Sequence, residues 1–126
     1  MVEFKSSDNG ATIKFTLIDS FADGINFALE VNSPFGSAKV HSSTYYYGSP
    51  AVLFKSIASE WKGWKGEKAW SDLESSLVLI ARSDSIGHTQ LTVKLTDHLS
   101  SFQTVLIFEA GQLENMAIEI DKSLPH

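Results

Sequence analysis

The chain contains no cysteine, which removes disulfides, thiolate metal sites and thiol nucleophiles together. That absence fits a reducing compartment, and the cytoplasm is the expected location. No apolar run approaches the ~20 residues that span a bilayer. No basic leader followed by an apolar stretch opens the sequence, so neither membrane insertion nor a secretory signal is expected. Positive charge is scarce: ten Lys and Arg stand against fifteen Asp and Glu, a formal charge of −5. Phosphate contacts need a positive surface, so a general nucleic-acid binder is disfavoured. There is no internal repeat, low-complexity tract or Pro/Gly/Ser linker, and 126 residues suffice to bury one core, so residues 1–126 read as a single domain.

Catalytic signatures are equally sparse. The histidines His41, His88, His98 and His126 form no H-E-x-x-H pair, and no carboxylate run resembles a calcium loop. Asp84 and His88 flank a turn and could share a ligand, but a turn aspartate beside a strand-start histidine explains both. The glycines match neither phosphate-binding pattern, and no G-x-S-x-G elbow occurs. A Ser-His-Asp arrangement is recognised in three dimensions, so spacing does not decide it. Glu60, Glu67, Asp72, Glu74 and Glu109 could supply paired acids, as any acidic protein could. No catalytic, cofactor-binding or metal-binding residue is assigned, and the expectation is a non-enzyme needing no cofactor.

What is present is mostly a period of two. Ile13, Phe15 and Leu17 alternate with Thr12, Lys14 and Thr16; Ile25, Phe27, Leu29 and Val31 alternate with Asn26, Ala28 and Glu30. Both read as half-buried strands. Val2 to Lys5 is a possible short strand ended by the turn Asp8-Asn9-Gly10, and SAKVHSST is a weaker candidate. Ser49-Pro50 then signals a helix start. Leu53, Phe54, Ile57, Ala58 and Trp61 recur at helical spacing up to Gly63. LESSLVLIAR, apolar on both faces over Leu77 to Ala81, predicts a covered central strand. After the turn SDSIGH with its Gly87, HTQLTVKL and FQTVLIFEA continue as strands, and Gly111 hands over to a helix with Leu113, Met116, Ala117, Ile120 and Leu124 on one stripe. The predicted order is β-β-β-β-α-β-β-β-α. Short connections imply antiparallel pairing, hence an α+β domain of strongly bent antiparallel sheets, or of two packed sheets as in a β-sandwich, with helices on one side or end.

Two aromatic clusters stand out. All three tryptophans lie in EWKGWKGEKAW. Four lysines between Lys55 and Lys68 against Glu60 and Glu67 give that segment +2; six basic and thirteen acidic residues remain elsewhere, giving −7. Trp61 is predicted to close the apolar face of the first helix, and Trp64 or Trp70 to cover a sheet edge. Stacking by Lys-flanked indoles could bind single strands, but Glu60 and Glu67 halve the local charge. In Thr44-Tyr45-Tyr46-Tyr47, alternation predicts at least one outward ring, and tyrosine is favoured at interfaces.

From Trp61 onward the chain resembles an uncharacterised bacterial family, domain of unknown function 6228. The likeness rests on W-x-G-x-x-x-W at Trp64 to Trp70, Leu73-Glu74, the alternating Leu77, Leu79 and Ala81, Asp84, Gly87-His88 with Leu91, Val93 and Leu95, and E-A-G-Q-L at Glu109 to Leu113. It covers about half the chain and brings no catalytic residues. Small, acidic, cysteine-free proteins of this kind are similar in type to immunity proteins of toxin systems, including contact-dependent growth inhibition. That likeness implies an antitoxin that binds a cognate, basic toxin domain, such as a nuclease, through acidic side chains and aromatic anchors. The expected partner contacts are Tyr45, Tyr46, Asp19, Asp23, Glu67 and Asp72. The alternative is a small-ligand or saccharide module stacking on Trp64 or Trp70, and after it a hydrolase. Nothing in the spacing fixes the oligomeric state.

Overall fold

The computed structural model describes residues 1–84 and 86–125, so Ser85 of the Gly87 turn and His126 lie outside the described residues. The expected α+β fold is present as two four-stranded antiparallel sheets and two helices. The first sheet has the order β1 (Val2–Lys5), β2 (Thr12–Phe21), β3 (Gly24–Ser33), β4 (Gly36–Ser43), a meander in chain order. After α1 (Ala51–Ser59), the second repeats it with β5 (Glu67–Ser71), β6 (Leu77–Ser83), β7 (His88–Thr96) and β8 (Ser101–Glu109), followed by α2 (Ala110–Ser123). The second half thus holds one strand more than the predicted order. Glu67–Ser71, read as a connection, pairs with β6 from Glu67↔Arg82 to Ser71↔Val78. As an edge strand it buries one large residue, Trp70, too little to leave a period in the sequence.

The alternating positions face one shared core. Ile13, Phe15, Phe27, Leu29 and Val31 from the first sheet meet Leu79, Ala81, Leu91, Val93 and Leu106 from the second. β6 is interior, but Val78 and Ile80 are only half-buried. Its second apolar face is therefore flanked by neighbouring strands and is not roofed by another layer. The helices pack on each other; α1 lies against β5, and α2 against β1, β2 and β8. Phe54 of α1 sits edge-on to Phe15 at 6.0 Å and tilted to Phe4 at 6.1 Å, joining helix layer to sheet. A Phe→Ala change in such a site costs about 3–5 kcal/mol.

α1 begins at Ala51 with Pro50 as its N-cap, one residue later than expected. Ser49 Oγ accepts the Ala51 N–H at 3.1 Å and donates to the Leu124 carbonyl at 2.8 Å, satisfying the first free amide of α1 and tying down the end of α2. At α2, Glu109 and Gln112 form a capping box, each side chain accepting from the other's backbone N–H. The helix begins at Ala110, so Gly111 lies inside it. α1 ends sooner than predicted. Glu60 leaves the helical conformation (φ −115°, ψ 39°) and the chain turns, with the Gly63 N–H bonded to the Glu60 carbonyl at 2.8 Å. Trp61 consequently departs from the apolar stripe and is 53% exposed, correcting its predicted core position.

Main-chain edges are treated unequally. The β8 edge is covered by the β1–β2 connection: Ser6 Oγ accepts the Ile107 N–H, the Ser7 N–H donates to the Ile107 carbonyl, and Asn9 Nδ2 reaches the Val105 carbonyl. β4, at the opposite end of its sheet, has no such cover among the described residues.

Candidate functional site

Between β4 and α1 the chain makes a knuckle of three tyrosines. Tyr46 has φ 72°, and the Tyr47 N–H bonds the Tyr45 carbonyl at 2.9 Å, two residues back. This is a γ-turn of the strained hand, which costs about 1–3 kcal/mol for a residue other than glycine. The surroundings enforce it. The Gly48 N–H bonds the Thr44 carbonyl at 2.9 Å, the Tyr45 N–H bonds Ser43 Oγ at 3.0 Å, and Trp70 Nε1 donates to the Gly48 carbonyl at 3.1 Å. The outcome is three solvent-facing rings, with Tyr46 76% exposed and set edge-on to Tyr47 at 4.9 Å. The expected outward tyrosine is thus a whole cluster, because a γ-turn replaces strand alternation.

A cleft of about 470 Å³ opens beside the knuckle, between the ends of β2 and β4 and the β5–β6 turn. A register shift between Leu17 and Asp19 in β2 makes Ile18 an extra residue and aims Ile18 and Asp19 into the cleft. Asp19 Oδ1 accepts from Asn26 Nδ2 at 2.8 Å and remains exposed. Asp72 forms the floor at 6% exposure. One of its oxygens accepts from Ser42 Oγ at 2.7 Å and also from Ser76 Oγ; the other accepts the Leu77 N–H at 3.3 Å. These bonds tie β4 of one sheet to the turn of the other. Leu73 is a ridge between this cleft and a second one of about 740 Å³ over Tyr47, Val52 and Trp70.

Of the six expected contact residues, Asp19, Tyr45 and Asp72 line the first cleft. Tyr46 is next to it. Asp23 is exposed on the β2–β3 turn, where Gly24 comes so close to Thr44 that a Cβ would lie 2.4 Å from its Oγ1. That turn is therefore docked against the knuckle. Asp72 is committed to internal bonds and shapes the cleft without presenting charge at its rim. Glu67 stands roughly 13 Å along β5 from this end and pairs with Arg82, whose Nε donates at 2.7 Å. Sequence reasoning missed Ile18, Val52 and Leu73, all exposed apolar residues around the knuckle. Only the adjacent pair Leu17-Ile18, out of period, hinted at the bulge.

Trp64 and Trp70 take the covering position expected of them and do not form the open platform of the alternative reading. Trp70 is 7% exposed and tilted against Phe27 at 6.1 Å, so its ring offers no open face. Trp64 is half-buried against the core with Lys68 Nζ 5.3 Å above its ring. Lys68 is itself held by Glu60 and by Ser56 Oγ at 2.7 Å. At the far turn, His88 lies 3.4 Å from Asp84 and 3.7 Å from Glu109. The Asp84 carboxyl is held below its ordinary value first by the His88 backbone N–H and also by that of Ile86, against a desolvation that raises it. Among the described residues no cluster of three potential ligands could hold a metal, and no helix is long and apolar enough to cross a membrane.

No curated protein and no solved structure matches the chain. The model of one family, described as a family of unknown function (DUF6228), matches residues 4–126 and so extends the likeness from half the chain to nearly all of it. The chain belongs to that family.

Proposed function

We propose that this protein is an immunity protein: a binding module that neutralises a cognate toxin domain with a basic surface by covering it, acting in the cytoplasm. The observation that carries this reading is the strained tyrosine knuckle. A backbone held at positive φ to keep three large rings in water is costly for a free protein, and it supplies rigid aromatic anchors of the kind that dominate interfaces. Exposed Val52, Leu73 and Ile18 surround those rings, and Asp19, Asp23 and Glu74 supply an acidic rim. An apolar centre with charged margins is the usual anatomy of a protein-binding patch. The overall charge of −5 would speed encounter with a basic partner.

The test is direct. The purified protein is titrated with the C-terminal domain encoded immediately upstream of its own gene, at low and at high salt. Tight binding that weakens as salt rises, together with rescue of cells expressing that domain, is the expected result. Absence of binding at low salt contradicts the proposal.

A further inference from the structure

β4 is the last strand of its sheet, so one of its edges has no neighbouring strand. The Thr44 N–H bonds the Ile25 carbonyl, and the Ile25 N–H bonds Thr44 Oγ1, so this is a hydrogen-bonded pair. Antiparallel pairs alternate, and the register from Asn26↔Ser43 to Ser33↔Gly36 is unbroken. Ser42, Val40 and Ala38 therefore spend their main-chain groups on β3. Ser37, Lys39, His41 and Ser43 point their N–H and C=O groups away from the sheet. The β8 edge is satisfied by Ser6, Ser7 and Asn9; among the described residues these β4 groups have no main-chain partner beyond β3. Two clefts lie along this edge. The acidic one borders His41 to Ser43, and one of about 140 Å³ borders Ala38 to Val40, walled by Leu95 and Phe102.

We infer that β4 is a strand-addition site, taking one extended segment of the partner protein as a ninth strand. Its side chains on the side of the two clefts alternate with a period of two. One of them, a lysine or arginine, would enter the acidic cleft toward Asp19 and Glu74; an aliphatic one, two or four positions away, would fill the smaller cleft. Main-chain bonds supply affinity and the two clefts supply selectivity. The charged Lys39 on this edge would discourage pairing with a second copy. The inference rests on the proposed protein-binding function and names its docking mode.

A displayed library of random peptides about the length of β4, eight residues, is selected on the purified protein, and the winners are synthesised. Enrichment of one basic residue with an aliphatic residue two or four positions away is expected. Bound peptide should slow amide exchange at Ser37, Lys39, His41 and Ser43. H41P removes one outward N–H but no ladder bond, and should weaken binding about tenfold or more. The same peptide N-methylated on its alternate edge-facing amides should fail on the unaltered protein, which guards against misfolding of the variant. No enriched peptide, enriched peptides without a basic residue, protection confined elsewhere, or a dimer of this chain using the same amides would each overturn the inference. If the upstream toxin domain binds the wild type and H41P alike, strand addition fails while the immunity reading stands.

Discussion

Asp72 offers the sharpest separation of architecture from contact. Its carboxylate is buried and accepts from Ser42 Oγ, Ser76 Oγ and the Leu77 N–H, linking β4 to the β5–β6 turn. Hydrogen bonds to a charged acceptor contribute about 1.5–3 kcal/mol each. Three on one group do not add in full, and removing the charge relieves its desolvation. Asp72→Ala also leaves the buried Ser42 hydroxyl without an acceptor. The expected loss is about 3–5 kcal/mol, a large share of the roughly 5–15 kcal/mol that holds a domain together. Asp72→Asn can turn its oxygen to Leu77 and its amide to two hydroxyls able to accept, so about 1–2 kcal/mol is expected. Urea unfolding with an unchanged m-value measures both. An Asp72→Ala variant within about 1 kcal/mol of wild type, or an Asn variant as damaging as the Ala one, would refute the assignment.

Other expectations follow from single contacts. Ser49→Ala removes the acceptor of the Ala51 N–H at the start of α1 and the tie to Leu124, costing about 2–3 kcal/mol and lowering Tm by roughly 10 °C; an unchanged Tm contradicts this. Trp61 is the exposed indole and Trp70 is buried, so Trp61→Phe should remove most acrylamide-quenchable emission, whereas quenching that persists at wild-type strength would contradict the burial pattern. The Asp84 carboxyl is lowered, chiefly by the His88 backbone N–H, so its stabilisation is present above the unfolded value of about 3.9. It is lost as pH falls through the lower folded value. NMR titration of the carboxyl should therefore give a midpoint below about 3.9, and a midpoint above it would be incompatible.

How legible this molecule was depended on how much each element buries. β3 and β7 carry core residues at alternate positions along most of their length, and β2 does so at Ile13 and Phe15 before its bulge leaves the expected Leu17 exposed, so the sequence period reveals them. β5 rests on Trp70 alone, so its neighbours looked like a connection. Trp61 fitted the helical spacing of Leu53, Phe54 and Ile57, but the Glu60 turn ended the helix first. That turn depends on backbone conformation that spacing does not encode. The site was partly visible. Asp19, Asp23, Tyr45 and Tyr46 gather at one end, because a bulge and a tight turn bring their loops together. Asp72 read as a surface acid, since its burial arises from Ser42, thirty residues earlier. The exposed apolar residues Ile18, Val52 and Leu73 carry no motif, and only packing shows that they ring the knuckle.

The central claim is that the tyrosine knuckle is the anchor of a protein interface. Its most direct test is calorimetric titration of the proposed partner, the domain encoded immediately upstream, into the wild type and into Tyr46→Ala, with unfolding measured in parallel. Removing the ring loses only its edge-on contact with Tyr47 in the free protein but deletes an anchor, so affinity should fall by about 30-fold or more, the ~2 kcal/mol of a hot-spot aromatic, with stability essentially kept. Equal affinity for the two proteins would contradict the account.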